Sequence, residues 1–505
     1  MTTKTRSLKV VDSLSLLSLK VASNVFDLSS GMNHVSIRDQ IVRAQLVVRD
    51  LRRGDPSLNS LLIVGGGVAG VFAGLAAADL GVSEVVIVDV ADQPFSLFRG
   101  VTQRYVGPFM YEWPSPFFGD QSYPEHQNTP WGSHSASPLR WASAQPCNAD
   151  QLATLLTQEL NQRLAAADKP RPRIYLNVDK AAVQSFVRTF AQTEAKAALD
   201  RQQRRPRGLP AEFLQHNVLD YETQGVVSIQ MRPQYVLLAS GMGHEDRQLV
   251  KVDAAGSSYG GANFTGTSFW ANDNLLTTAI ADRDIYIFGG GDGAMQDTLR
   301  ALTGLPHPLQ LLCVLEKDAV TKAAIDGLSA ILLALDRQGR QYATWTRGAE
   351  AYEALDRECQ KLAGQLAKKI NVENQVTGAL RQGIGNVSLF VRESHFGKAY
   401  LLNRFLVHLI AACCRSRSMS TGPSRMSLSL HFGHQPVGYA YSGSHQVLIQ
   451  NLATKVTGRY NPQEIVVRYG IERDTVPGAQ MIQVSDRPSR QRTTLARVEL
   501  PFVAG

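Results

Sequence analysis

LLIVGGGVAG, Leu61 to Gly70, is the stretch whose reading decides the fold. Four apolar residues lead straight into three glycines. Gly65, Gly67 and Gly70 keep the spacing G-x-G-x-x-G. Directly after a strand-like run, that spacing predicts a tight turn and the start of a helix. Gly65 permits the turn, Gly67 lets a pyrophosphate approach the backbone, and Gly70 lets the helix pack close to the strand. The free N–H groups at the helix start then face the phosphate. VFAGLAAADLG continues the helix with small residues, and Gly81 stops it. EVVIVDV follows as a second buried strand ending at Asp89, 19 residues after Gly70. An acid there holds a ribose hydroxyl.

Strand, glycines, helix, strand and acid in this order predict a dinucleotide site. Its residues are Gly65, Gly66, Gly67, Val68, Ala69, Gly70 and Asp89. A plain turn in a βαβ unit would not need all three glycines and the acid. Ser60 to Ala78 is also 19 residues without a charge, about the length that spans a bilayer. Three consecutive glycines inside it, and a strand pattern directly after, exclude a membrane helix.

The chain has 505 residues, 44% of them hydrophobic, enough for a large core and roughly two to four domains. The net charge is +8 and the isoelectric point about 9.2. The excess is spread out, with a local knot at Arg201–Arg207 (RQQRRPR). No nucleic-acid module accompanies it, so it reads as a solvated loop and no nucleic-acid partner is expected. Cys147, Cys313, Cys359, Cys413 and Cys414 form no C-x-x-C, which leaves no zinc ribbon or dithiol of that type. So few cysteines in a long chain fit a reducing cytoplasm. Lys4, Arg6 and Lys9 precede an apolar run, but Asp12 and Lys20 interrupt it and no cleavage pattern follows. Leu14, Leu17 and Val21 fit one helical face instead.

Residues 1–59 read as a helical N-terminal segment. Ile37, Ile41, Ala44, Val48 and Leu51 line one face, and Asp55-Pro56 ends the helix. Residues 92–147 carry eight prolines with Trp113, Trp131 and Trp141 among them. Such a stretch either walls a pocket or packs as an arm. Arg99, Arg104 and Tyr105 follow the second strand closely enough to approach a bound nucleotide. Asn148 caps a further helix, Arg173–Val178 reads as a strand, and residues 186–215 as helix plus loop. Gly225–Gln230 and Tyr235–Leu238 read as strands, the latter running into Ala239-Ser240-Gly241-Met242.

The opening pattern then recurs. The strand DIYIF, Asp284–Phe288, enters Gly289-Gly290-Gly291-Asp292-Gly293-Ala294, a G-x-G-x-x-A form of the same motif. A helix through Arg300 closes at Gly304. LQLLCVL, Leu309–Leu315, reads as the next strand and ends at Glu316, 22 residues after Ala294. Residues 318–420 read as mainly helical. The apolar run Ala399–Cys414 is expected to be a buried helix, with Cys413 and Cys414 in the core. Gln446–Gln450, Glu464–Tyr469 and Arg497–Val503 read as strands. His431, His434 and His445 have a spacing at which three imidazoles can ligate zinc. No cysteine or carboxylate completes the set, so hydrogen-bonded loop histidines are expected and no metal is assigned. Glu125-His126 with His134 is weaker still.

These motifs resemble the flavoproteins with two dinucleotide-binding domains, the group of thioredoxin reductase, glutathione reductase and the flavin-containing monooxygenases. LLIVGGGVAG with Asp89 is similar to their FAD-binding motif. YVLLASGM, Tyr235–Met242, is similar to the strand ending in Ala-Thr-Gly that closes their FAD domain. IYIFGGGDGAMQD, Ile285–Asp297, is similar to the motif that binds NAD(P)H. The resemblance covers roughly residues 60–110 and 225–320. It implies an α/β fold with two Rossmann-like dinucleotide-binding domains, a helical N-terminal preface and inserts. The expected division is 1–59, 60–242 for FAD, 283–390 for NAD(P), and 391–505 returning to the FAD domain. It adds Arg99, Ser240 and Gly241 to the FAD site, and Gly289, Gly291, Asp292, Gly293, Ala294 and Glu316 to the nicotinamide site.

The implied activity is an FAD-dependent oxidoreductase, monooxygenases included, that takes electrons from a nicotinamide cofactor and acts on a small molecule. The cofactor carries such chemistry, so no catalytic side chain is assigned. Glu316 as a ribose acceptor implies NADH in preference to NADPH. Two departures limit the resemblance. No Ala-x-Gly-Asp motif is evident near the C-terminus, where Thr475-Val476-Pro477-Gly478 lacks the Gly-Asp, and no redox cysteine pair is present. The first departure keeps a catalytically silent nucleotide-binding sensor or scaffold as an alternative. GVSEVVIVDVAD, followed by Arg99 and Arg104, also resembles adenylating enzymes of the ubiquitin-activating type. The second glycine motif and the lack of paired C-x-x-C speak against them. No membrane span is expected, and self-association stays open.

Overall fold

The computed structural model describes residues 16, 19–28, 36–107, 113–114, 139, 145–203, 209–250, 263–345, 349–417 and 424–472. The first part of the chain contains β1 (Lys20–Ala22), β2 (Val25–Asp27), α1 (Ile37–Gly54), β3 (Ser60–Val64), α2 (Val68–Asp79) and β4 (Glu84–Val88). A short pair, β5 (Tyr105–Val106) and β6 (Cys147–Asn148), precedes α3 (Ala149–Ala165), β7 (Arg173–Leu176) and α4 (Lys180–Gln202). β8 (Phe213–Asp220), β9 (Val226–Met231) and β10 (Tyr235–Leu238) complete it. The strand order is β1-β2-β10-β3-β4-β7-β8-β9. β10, β3, β4 and β7 run parallel, with Val236 opposite Leu62, Leu62 opposite Val86, and Ile87 opposite Ile174.

The parallel strands are apolar without alternation because both faces are covered. Leu61, Ile63 and Ile87 pack with Phe72 and Leu75 of α2, Ile41 and Val48 of α1 and Leu152 and Leu156 of α3. Leu62, Val64, Val86 and Val88 pack on the other side with Val187 and Phe190 of α4. α2 is rich in alanine and glycine because it lies so close to the sheet. A Cβ on Gly74 would come within 3.0 Å of Ile87 Cγ1. α3 starts where Asn148 caps it, its side chain accepting the Gln151 N–H while the Gln151 side chain accepts the Asn148 N–H.

The second part contains β11 (Asp284–Phe288), α5 (Asp292–Thr303), α6 (Pro308–Leu315), α7 (Ala319–Asp326), α8 (Ser329–Trp345), α9 (Glu353–Leu366) and α10 (Ile370–Ala379). β12 (Asn386–Val391), α11 (Leu401–Arg417), β13 (Ser427–Phe432), β14 (His434–Tyr441), β15 (His445–Asn451), β16 (Thr457–Tyr460) and β17 (Glu464–Val467) follow. β13-β12-β11-β17 form a wholly parallel sheet, and β14-β15-β16 an antiparallel one. Ile285 and Ile287 face the helices, among them Phe405 and Leu409 of α11. Phe288 and Val467 face Tyr439, Val447 and Ile449 of the three-stranded sheet.

The two parts share one plan. In each, four parallel strands lie in the spatial order third, second, first, fourth, β7-β4-β3-β10 and β13-β12-β11-β17, and β2 adds a fifth parallel strand beside β10 in the first sheet. In each, antiparallel strands are inserted in the chain before the fourth. The fold is therefore α/β with two Rossmann-like units, as expected.

The outcome differs from expectation at several places. Val21 lies in β1, at the edge of the first sheet, rather than on a helical face. LQLLCVL belongs to the helix α6. A continuous apolar run does not distinguish a buried strand from a buried helix. Pro308 at its first turn and His307, whose Nδ1 accepts the Leu309 N–H at 3.1 Å, settle it as helix. The second strand of the second unit is instead β12, inside the stretch read as helical. Residues 391–472 do not return to the first sheet, because β13 and β17 pair within the second. β8, unread in the sequence, extends the first sheet beyond β7.

Parts of some expectations lie outside the described residues: Leu14 and Leu17, most of 108–144 with the histidines at 126 and 134, 204–208, the 475–478 motif and the 497–503 strand. Within the proline-rich stretch, Trp113 is buried against Phe405 of α11, with ring centroids 5.3 Å apart, whereas Leu139 joins the core of the first unit.

A buried ion cluster joins the units. Asp297 of α5 is fully buried and binds Arg104 from the first unit, Arg300 at 2.7 Å and Arg468 at 2.8 Å. Asp273 adds contacts of 2.8 Å to Arg104 and 2.9 Å to Arg300. Burial opposes its charge, yet Arg104, Arg468 and Arg300 together hold the Asp297 carboxyl well below the usual carboxylate range.

Candidate nucleotide-binding turns

At the first turn, Gly65 has φ +119°, and a Cβ there would run into the Ala239 carbonyl at the end of β10. A Cβ on Gly70 would strike the Gly65 carbonyl. Two of the three motif glycines are thus required by the approach of backbone to backbone. Gly67 is different. A Cβ there would meet nothing within 4 Å, so the space before α2 is open. Gly67 is the N-cap of α2, and no side chain caps that helix. Val68 and Ala69 are its first residues. The helix therefore presents uncapped N–H groups to an open space, the arrangement that suits an anion.

Asp89 stands directly after β4 at this turn. Its Oδ2 accepts the Gly66 N–H and its Oδ1 the Ala91 N–H at 2.8 Å. Ser240 and Gly241 follow β10; Gly241 has φ +90° and a Cβ there would meet nothing within 4 Å. These groups meet at the carboxyl ends of β4, β3 and β10. There the chain crosses from one side of β3 to the other, which is where open α/β sheets bind ligands. Arg99 is not brought to the turn by a hydrogen bond. Its guanidinium donates to the Pro94 carbonyl at 3.2 Å and to Thr157 Oγ1 of α3 at 2.6 Å. Arg104 is taken up by Asp297, so neither arginine is left free for an adenylating site.

The second turn matches the first residue by residue. Gly289 has φ +145°, and a Cβ there would strike the Arg468 carbonyl. Its N–H donates to Phe390 O at 3.0 Å, as that of Gly65 does to Val88 O at 2.8 Å. The Arg468 N–H donates to Phe288 O at 2.7 Å, as that of Ala239 does to Val64 O at 2.7 Å. Gly291 is the N-cap of α5, also without a side-chain cap. Ala294 replaces Gly70, and Gly470, with φ +92°, matches Gly241. A Cβ on Gly66 would lie 3.0 Å from Asp89 Oδ2; one on Gly290 would lie 2.8 Å from Val391 Cγ1. Val391 therefore occupies the place of the acid.

This corrects the role expected of Glu316. It is the C-cap of α6, and the charges acting on it are Lys322 and Asp326 of α7. With a valine at the strand end and the exposed, oppositely charged Arg392 and Glu393 after it, the ground for an NADH preference is gone.

The segment between β12 and α11 lies along the second turn. A Cβ on Gly291 would be 3.5 Å from the Lys398 carbonyl. Gly293 faces Phe269 and Arg468. Asp292 Oδ1 accepts the Tyr400 N–H and Asn403 Nδ2, both at 2.7 Å. Burial pushes the Asp292 carboxyl up to about 6, against the pull of these two hydrogen bonds, Lys398 and Arg404.

The histidines of the C-terminal part are held by other groups. His431 stacks on Phe390 at 4.5 Å between centroids. His434 uses both ring nitrogens, on Phe432 O at 2.8 Å and Asn451 Nδ2 at 3.2 Å. His445 Nδ1 bonds Tyr439 Oη at 2.9 Å. Among the described residues, no three of His, Cys, Asp and Glu are grouped to hold a metal. No described helix is long and apolar enough to cross a membrane. Sequence reasoning missed Val391 because it placed the second strand too early, and missed the Asp297 cluster because its arginines come from distant segments.

No protein-family model matches the chain, and no curated protein matches it. Solved structures do match. The thioredoxin reductase of Lactococcus lactis is 9% identical, with 82% of this chain and 77% of that one covered and a TM-score of 0.32. FprA of Mycobacterium tuberculosis, in complex with NADPH, is 13% identical over 82% and 70%, with a TM-score of 0.32. The ornithine N-hydroxylase of Kutzneria sp. 744 is 10% identical over 87% and 97%, with a TM-score of 0.31. At such scores the functional reading rests on the chain's own two turns.

Proposed function

We propose that the first turn holds FAD and that the chain is a flavin-dependent oxidoreductase supplied with electrons by a nicotinamide dinucleotide at the second turn. The observation that carries this reading is the bare, uncapped start of α2 at Gly67, set beside Asp89. The residues present fit the group. The space a Cβ on Gly67 would enter is the space a pyrophosphate needs, with the N–H groups at the start of α2 as its donors. Asp89 has the place of the ribose acceptor, and Ser240-Gly241 closes the site from β10. The order of the motifs, with the Tyr235–Leu238 strand returning beside β3 before the second motif begins, supports FAD at the first turn.

When bound, FAD supplies hydride and electron transfer. The protein's share is binding, orientation and exclusion of water. At the second turn α5 contributes its uncapped N-terminus at Gly291, with the Lys398 carbonyl beside it, while Val391 gives no acceptor for a ribose hydroxyl. The five free cysteines suit a reducing compartment, so the reading places the enzyme in the cytoplasm, acting on a small molecule. Purified protein should show flavin absorption and bleach anaerobically on addition of a reduced nicotinamide dinucleotide. A colourless protein that FAD does not reconstitute would remove this reading.

A further inference from the structure

Residues 391–400 have a front and a back. The front lies against the second turn through Val391 at Gly290, the Lys398 carbonyl at Gly291, and the Tyr400 N–H on Asp292. The back is held by two residues from helices on either side. Asp356 of α9 accepts the Phe396 N–H on Oδ2 at 3.1 Å. Its Oδ1 pairs with Arg404 Nη1 at 2.5 Å and His408 Nε2 at 2.9 Å. Arg404 of α11 then donates to the Phe396 carbonyl at 3.0 Å and to the Gly397 carbonyl. Three backbone groups of the loop are thus fixed by one carboxylate and one guanidinium.

All of these side chains are buried, Arg404 completely. A buried ion pair is weak support for stability, because desolvation offsets the attraction. α9 and α11 already contribute Leu355, Leu362, Leu402 and Phe405 to one apolar core. What the pair adds is direction: it sets where residues 396–400 run, a few residues from the groups that touch the turn.

We propose that Asp356, acting through Arg404, is a positioning residue for the second dinucleotide site. This rests on the reading of the second turn as such a site. The helices between β11 and β12 thereby have a task in that site, since α9 carries the carboxylate that shapes its wall. Asp356 touches no ligand itself; it acts through the backbone of Phe396 and Gly397 and so through Lys398 and Tyr400.

The test compares the affinity of NADH and NADPH for wild type and variants, by titration calorimetry, with flavin content and cooperative melting as readouts of an intact fold. Arg404→Lys keeps a charge opposite Asp356 but loses the fork that spans two carbonyls. Asp356→Leu/Arg404→Met removes the pair together, avoiding an unpaired buried charge. Both are expected to weaken dinucleotide binding about tenfold, the scale at which residues without ligand contact act on a site, with flavin content unchanged. His408→Gln alters a partner of Asp356 that holds no loop backbone, and should stay within about twofold. If the double variant does not fold, Arg404→Lys decides. Folded variants that bind both dinucleotides as wild type does would overturn the positioning role alone. Wild type that binds neither would overturn the reading of the second turn, and this role with it.

Discussion

The two turns are built on one backbone plan and differ in their side chains. Both have an uncapped helix start, a left-handed first glycine pressed on the fourth strand, and a glycine near φ +90° beyond that strand. The first carries Asp89 at the end of its second strand, where the second carries Val391. The first has small Ala239 at the end of its fourth strand, where the second has Arg468, tied to Asp297 and through it to Arg104. The backbone plan gives each turn an uncapped helix start, but only the first has an acid at the end of its second strand. The second has Val391 there and a buried ionic link to the first unit.

The largest effect should come from the open glycine of the first turn. Gly67→Val puts a branched side chain where a Cβ meets nothing within 4 Å, in the space proposed for the pyrophosphate, so it should fold and lose its flavin entirely. Flavin absorbance per chain reads this, and a normally loaded variant would place the cofactor elsewhere. Next is the link peculiar to the second turn. Asp297→Ala removes a carboxylate shared by three buried arginines, Asp273 staying with Arg104 and Arg300, and should destabilise by about 3–5 kcal/mol in thermal or denaturant unfolding. Because the Asp297 carboxyl is held below its usual range, its stabilising share is fully present above the unfolded value, about 3.9. It is lost only as pH falls through the lower folded value. The gap between wild type and Asp297→Ala should therefore be constant from about pH 5 to 8 and shrink below about pH 4.

The acid itself comes third. Asp89→Ala should weaken flavin retention by about 1–3 kcal/mol, the scale of a lost charged hydrogen bond, measured by reconstitution with FAD. Equal retention would remove the distinction drawn between Asp89 and Val391. The smallest effect belongs to Glu316. On the end of α6 beside Lys322 and Asp326, its replacement by alanine should leave the relative affinity for NADH and NADPH within about twofold. A clear change in that ratio would restore the role that the sequence suggested.

These differences also show what sequence could and could not disclose. The first turn was legible because its glycines, helix start and acid lie within 29 residues, from Leu61 to Asp89, each with one physical task. The second turn was legible as far as Gly304, where the glycine ends α5 in the left-handed conformation. Beyond it an apolar run that fits helix and strand equally, and five helices before β12, hid the true second strand and with it Val391. Arg104, Asp297 and Arg468 are separated by long stretches of chain, and nothing local in any of them signals the others. Asp356 and Arg404 lie on helices that patterning identifies, yet their common hold on Phe396 is a matter of tertiary packing.

The most direct test of the account is the identity of the molecule at the first turn. The purified protein is denatured, and the released cofactor is identified by mass and quantified against chain concentration. FAD is expected at about one per chain, and none from Gly67→Val. Release of another nucleotide in its place, or no flavin from a protein that also fails to take up added FAD, would contradict it.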